Sequence, residues 1–202
     1  MPDAPQNLPV VHESPREVVE DRQGLVRLLN PFGRLWLRLV ARILEHASDL
    51  VPSHLNLSWI TPDLAVGGAP KKRDYRRLAS AGITGVIDCR EEATDDEHAL
   101  QHVGIQLLRL PIKDRYALSH DQLMNGVRWA GQQIESGGKI LVHCQHGVGR
   151  APLMGASILM TRERLSAPEA LKTIRTRRWQ AAPDDRQIEA LLAFEERSKA
   201  ER

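Results

Sequence analysis

The stretch Leu141-Val142-His143-Cys144-Gln145-His146-Gly147-Val148-Gly149-Arg150-Ala151-Pro152 limits what this chain can fold into more than any other. It opens on an apolar run, Lys139-Ile140-Leu141-Val142, of the short continuous kind that suits a buried parallel strand. It then passes Cys144, crosses Gly147 and Gly149, and reaches Arg150. From Ala151 the residues read as an apolar helix, Leu153-Met154-Gly155-Ala156-Ser157-Ile158-Leu159-Met160. A strand, a glycine-bearing loop and a helix in that order aim backbone N–H groups and a helix N-terminus at one point. That is an anion site. A thiol at its centre sits in a positive field that favours thiolate over thiol.

A length of 202 residues suits one domain with a genuine core and an appendage. Lys and Arg number 28 against 26 Asp and Glu, so the charge balance does not call for nucleic acid. Two cysteines cannot build a disulfide framework, which implies a reducing compartment. The His residues are scattered, without Cys-x-x-Cys or His-Glu-x-x-His, so no metal and no cofactor is expected. The N-terminus lacks the build of a secretory signal, and no apolar run is long enough to span a membrane. The reading is a cytoplasmic protein.

Residues 1–13 are Pro-rich and polar and read as a disordered tail. Residues 14–50 read as N-terminal amphipathic helices, the first opened by the capping box Ser14-Pro15-Arg16-Glu17. In the second, residues 31–48, Phe32, Leu35, Trp36, Leu39, Val40 and Ile43 share a face, with Arg34, Arg38 and Arg42 opposite. Such a stripe packs on its own domain, or it makes peripheral contact with a membrane surface. Residues 51–202 then carry the main domain.

Two short strands, Leu57–Ile60 and Leu64–Gly68, flank the turn Thr61-Pro62-Asp63. Helices near Asp74–Ala81, Asp95–His102 and Ser119–Glu135 alternate with strands at Gly85–Cys89, Ile105–Leu110 and Lys139–Val142. Three helices finish the chain, the second opened by the capping box Ser166-Ala167-Pro168-Glu169. The fold class is α/β, a mostly parallel central sheet with helices on both faces.

In such sheets ligands sit beyond the carboxyl ends of the strands, where the Cys144 loop lies. Gly147 and Gly149 supply the positive φ that an inward-pointing N–H nest requires. The planar fork of Arg150 suits two phosphate oxygens, and Cys144 is then the nucleophile. Gln145, His146, Gly147, Val148, Gly149 and Arg150 form the binding loop.

His143-Cys144-x-x-Gly147-x-x-Arg150 resembles the His-Cys-x5-Arg motif of the protein-tyrosine phosphatase superfamily, in its compact dual-specificity branch. The resemblance covers about two thirds of the chain, from Leu57 to Glu196. It implies a dual-specificity-phosphatase-like fold and a phosphocysteine intermediate on Cys144. It also implies phosphoryl binding by Arg150 and a general-acid Asp on an upstream loop. Leu110-Pro111-Ile112-Lys113-Asp114 ends a strand at the same sheet edge, so Asp114 is the candidate acid. Asp121, the second candidate, falls in the first turn of a helix, where the helix dipole explains it. The resemblance also implies that His143 supports the loop by hydrogen-bonding backbone beneath it. Where the family usually carries Ser or Thr, this chain has Ala151, which predicts slower hydrolysis of the intermediate.

The resemblance leaves the substrate open. Phosphotyrosine, phosphoserine or phosphothreonine of a protein is the first expectation, because Gln145, His146 and Val148 include no Lys or Arg for a polyanionic headgroup. A phospholipid is the alternative, supported by residues 31–48. The acidic segment Arg90–Glu97, loosely similar to one in mitochondrial-type phosphatidylglycerophosphate phosphatases, supports it too. An inactive phosphate-binding module is the second alternative. Cys89 would be a redox partner for Cys144 or a packed core thiol, and Arg175, Arg177, Arg178 and Trp179 would meet an anionic substrate or solvent.

Overall fold

The computed structural model describes residues 55–200; the expectations for residues 1–50 lie outside the described residues. The sheet is formed by β1 (Leu57–Trp59), β2 (Leu64–Gly68), β3 (Ile83–Arg90), β4 (Gln106–Ile112) and β5 (Lys139–Cys144) in the order β1-β2-β5-β3-β4. Only β1 runs antiparallel to its neighbour, through a tight turn in which Thr61 Oγ1 donates to Asp63. The helices are α1 (Tyr75–Ser80), α2 (Glu97–Gln101), α3 (His120–Glu135), α4 (Arg150–Glu163), α5 (Ala167–Arg177) and α6 (Asp185–Ala200). The expected α/β class and its parallel sheet are present.

Strand alternation sorts the core into two layers. Val66, Ile87, Ile140 and Val142 face α3 to α6, whereas Ala65, Val86 and Leu141 face Tyr75, Leu78 and Leu100 of α1 and α2. Each such large apolar side chain contributes roughly 1.5–3 kcal/mol when fully buried. α4 is buried on every side from Arg150 to Met160, which explains why its sequence shows no polar face. α3 starts at a capping box, Ser119 with Gln122, and buries Leu123, Gly126, Val127 and Ala130 at helical spacing.

Differences from the sequence reading are local. The helix expected over Asp74–Ala81 begins as a 3-10 turn at Lys72–Asp74, and the one expected from Asp95 starts at Glu97, capped by Asp96. Asp95 is left free of the helix, and the site below uses it.

Candidate active site

β5 lies inside the sheet between β2 and β3, so its carboxyl end opens at the middle of one edge. Cys144 shares the strand face of Ile140 and Val142, buried on the α4 side. Its Sγ accepts from the Gly147 N–H at 3.3 Å. Gly147 has φ 72°, and a Cβ there would meet the Gly67 backbone and the Arg178 side chain. Gly149 does not take the expected positive φ: its φ is −118°, as N-cap of α4. A Cβ there would come 2.6 Å from Gln187 Oε1, so a larger residue would push the end of the Gln187 side chain aside. No side chain caps α4, so its first-turn N–H groups are left for the loop. Gln145, His146 and Val148 are exposed at the mouth, and Ala151 is fully buried in the first turn of α4.

Arg150 is buried, and its guanidinium is gripped along one edge. Nη1 donates to Glu92 Oε2 at 2.8 Å and to the Ile112 carbonyl at 2.9 Å, and Nη2 donates to Glu92 Oε1 at 2.7 Å. Asp114 Oδ1 lies 3.1 Å from Nη2. The expected acid and the expected phosphate clamp therefore meet at one place. Nε is buried with no partner among the described residues, so it is a donor free for an incoming anion. Asp121 stays in the first turn of α3, as expected.

The Glu92 contact holds Arg150 more basic than usual and lowers the Glu92 pKa from 4.5 to about 2. A carboxyl depressed on folding stabilises the native state above its unfolded pKa and loses that contribution as pH falls through the folded one. Between pH 4.5 and about 2 the parent protein should lose urea resistance more steeply than Glu92→Gln. Equal slopes would contradict the pairing.

His143 corrects the expectation of a backbone partner. Its ring points to the opposite strand face from Cys144, where Nε2–H donates to Asp95 Oδ2 at 2.7 Å. Arg90 joins the same carboxylate at 2.8 Å and grips Asp88 at 2.9 and 3.0 Å. Asp88, Asp95 and His143 offer ligand atoms within 4.8 Å of one another, which would suit a cation. Arg90 already supplies the balancing charge to both carboxylates, so the cluster reads as a buried ion network under the loop. Cys89 lies on the Cys144 side of β3, and burial, then the neighbouring Cys144, push its thiol well up in pKa. It is a packed neutral thiol.

Arg178 takes a different role from the one expected, and Gln187 escaped the sequence reading. Arg178 is buried rather than facing substrate or solvent; Nε donates to Gly147 O at 2.7 Å and Nη2 to His146 O at 2.9 Å. Gln187 packs on Gly149 and donates to Tyr116 O at 3.1 Å, tying the Asp114 segment to the Cys144 loop. A lone Gln in a helical pattern carries no such signal. Arg178 ends a helix beside the Trp179 turn, which fits a capping cation equally well.

Comparison with known proteins agrees with this geometry. Residues 66–197 match the family model described as "Dual specificity phosphatase, catalytic domain". The human "Dual specificity protein phosphatase 2" is 27% identical over 143 residues, covering 67% of this chain and 42% of that protein. The match thus spans less than half of that relative's length. The human "Phosphatidylglycerophosphatase and protein-tyrosine phosphatase 1" is 28% identical over 134 residues, 61% of this chain and 67% of that protein. Among solved structures, Tk-PTP in its active form is 30% identical, with TM-score 0.67 over 70% of this chain and 97% of that one. PTPMT1 in complex with PI(5)P is 26% identical, with TM-score 0.67 over 70% and 96%. The loop, its arginine and this match along most of the described residues converge: the chain belongs to the dual specificity phosphatase family.

Proposed function

We propose that the chain hydrolyses phosphate monoesters through a phosphocysteine on Cys144. The observation that carries this is the meeting of the buried Cys144 and Arg150 on one loop, with the Gly147 N–H on the sulfur and the exposed Asp114 carboxylate of a second loop 3.1 Å from Arg150. The Cys144 thiolate attacks phosphorus, Arg150 and the loop N–H groups hold the phosphoryl oxygens, and the P–O bond breaks as Asp114 gives its proton to the leaving oxygen. Water then gives a proton to the Asp114 carboxylate as its oxygen bonds to phosphorus, the S–P bond breaks and the thiolate returns. His143, held by Asp95, sets the strand end from which Cys144 projects.

The test is turnover of p-nitrophenyl phosphate by the parent protein; phosphate binding without turnover would make the chain the inactive module. With Ala151 in place of a hydroxyl, the second step is slow. Rapid-quench traces should show a burst of p-nitrophenol, and Ala151→Ser should raise the steady rate roughly tenfold, on the scale of one added transition-state hydrogen bond. A linear first turnover would remove this account of Ala151.

Phosphotyrosine, phosphoserine or phosphothreonine of a protein is the first substrate reading, since the exposed loop positions carry no Lys or Arg. A phospholipid monoester is the second. It is favoured by the likeness to a relative named as a phosphatidylglycerophosphatase and to PTPMT1 bound to PI(5)P, and by the rim of the site.

A further inference from the structure

We infer that the rim of the Cys144 site docks on an anionic lipid surface. Trp179, Val148 and Tyr116 enter the headgroup region, and Lys113, Arg177 and Arg186 meet lipid phosphates. The inference rests on the phosphatase reading and selects a phospholipid presented in a bilayer as its substrate.

The large hydrophobics that the described residues expose are Tyr116 at 46%, Val148 at 36%, Trp179 at 83% and Leu192 at 45%. All but Leu192 are joined to the mouth of the site. Val148 is in the loop itself. Trp179 follows Arg178, whose guanidinium bonds the His146 and Gly147 carbonyls, and its turn closes back through Ala182 N–H to Val148 O at 2.8 Å. Tyr116 lies just past Asp114, and its carbonyl is held by Gln187, which packs on Gly149. Scattered exposed apolar residues need no explanation, but a set gathered round one opening does.

The charge at this rim is complementary to an anionic surface. The Tyr116 ring has Lys113 Nζ 5.6 Å and Arg186 Cζ 5.3 Å from its centroid. Arg115, next to Tyr116, and Arg177, two residues before Trp179, are exposed. Of the acids here, Glu92 and Asp114 share the one Arg150, with the Asp114 side chain still 73% exposed, and Glu91 and Asp185 are exposed, against the cations Lys113, Arg115, Arg177 and Arg186. Trp and Tyr take the headgroup level of a bilayer, and neighbouring Lys and Arg reach its phosphates. A protein partner reads shape and fills pockets. This rim instead offers single protruding side chains from separate loops, which suits a fluid surface. The basic amphipathic sequence of residues 31–48 has the same chemistry.

The test is flotation of the full chain with vesicles of phosphatidylcholine containing phosphatidylglycerol. Hydrolysis of phosphatidylglycerophosphate in those vesicles is read in parallel, with p-nitrophenyl phosphate as the soluble control. Trp179→Ala should weaken vesicle binding and vesicle turnover about tenfold. Arg186→Gln should weaken both about fivefold, the share of one cation near an anionic surface. Both variants should turn over p-nitrophenyl phosphate at the parent rate. Binding of Trp179→Ala equal to the parent overturns the inference. So does loss of phosphopeptide turnover in Trp179→Ala with vesicle binding intact, which would assign the rim to a protein partner. Absence of p-nitrophenyl phosphate turnover in the parent would strike the phosphatase reading instead, since flotation is read separately.

Discussion

Cys144→Ser should lower kcat on every phosphate monoester by at least ~10⁵-fold while leaving substrate affinity within a few-fold. A serine hydroxyl needs a base to act as nucleophile, and among the described residues the group bonded to the position 144 side chain is the Gly147 N–H, a donor. The adjacent imidazole, His143, points to the other strand face and is committed to Asp95 at 2.7 Å. Cys89, the remaining thiol, is buried and held neutral. The binding elements, Arg150 and the loop N–H groups, do not depend on sulfur, so affinity survives. A loss of this size corresponds to about 7 kcal/mol of transition-state stabilisation. Single-turnover kinetics with a bound-ligand titration separates the two effects. A serine variant that retains a hundredth of parent turnover would require another nucleophile.

Asp114→Asn should cost roughly 10²–10⁴-fold in kcat/KM, which reports the first step, on phosphoserine or alkyl phosphates, the usual share of a placed general acid. The amide can still accept from Arg150 Nη2, which the carboxylate contacts at 3.1 Å, so the clamp keeps its geometry. What it cannot do is give a proton to the leaving oxygen. The loss should shrink to less than tenfold on p-nitrophenyl phosphate, whose phenolate leaves without protonation. Steady-state rates across a series of leaving groups measure this directly. An equal loss on every ester would mean that Asp114 only holds Arg150, and that the acid lies elsewhere.

Much of this was legible locally. The apolar run before Cys144, Gly147 and the apolar stretch after Arg150 announce strand, loop and helix within one segment, and all three are present. Asp114 was legible because it ends a strand at the same sheet edge. The partners that complete the site were not, because each bond joins residues remote in sequence. Glu92 reaches Arg150, Asp95 reaches His143, and Arg178 reaches the loop carbonyls only once β5 lies between β2 and β3. Periodicity does not give strand order. One signal was available: Asp88 and Arg90 share the β3 face of the buried Val86, and charges on a buried strand face must find partners. Gly149 shows the converse, a loop residue expected at positive φ that takes φ −118° and packs on the end of the Gln187 side chain.

The central claim is that phosphate passes through the sulfur of Cys144. Acid quench during the first turnover, followed by mass spectrometry of the peptide spanning Lys139 to Arg150, tests it most directly. The account predicts a phosphoryl adduct on Cys144 approaching one per active site, retained because Ala151 leaves the second step slow, and absent from Cys144→Ser. Turnover without any adduct, or an adduct carried by His146, would contradict it.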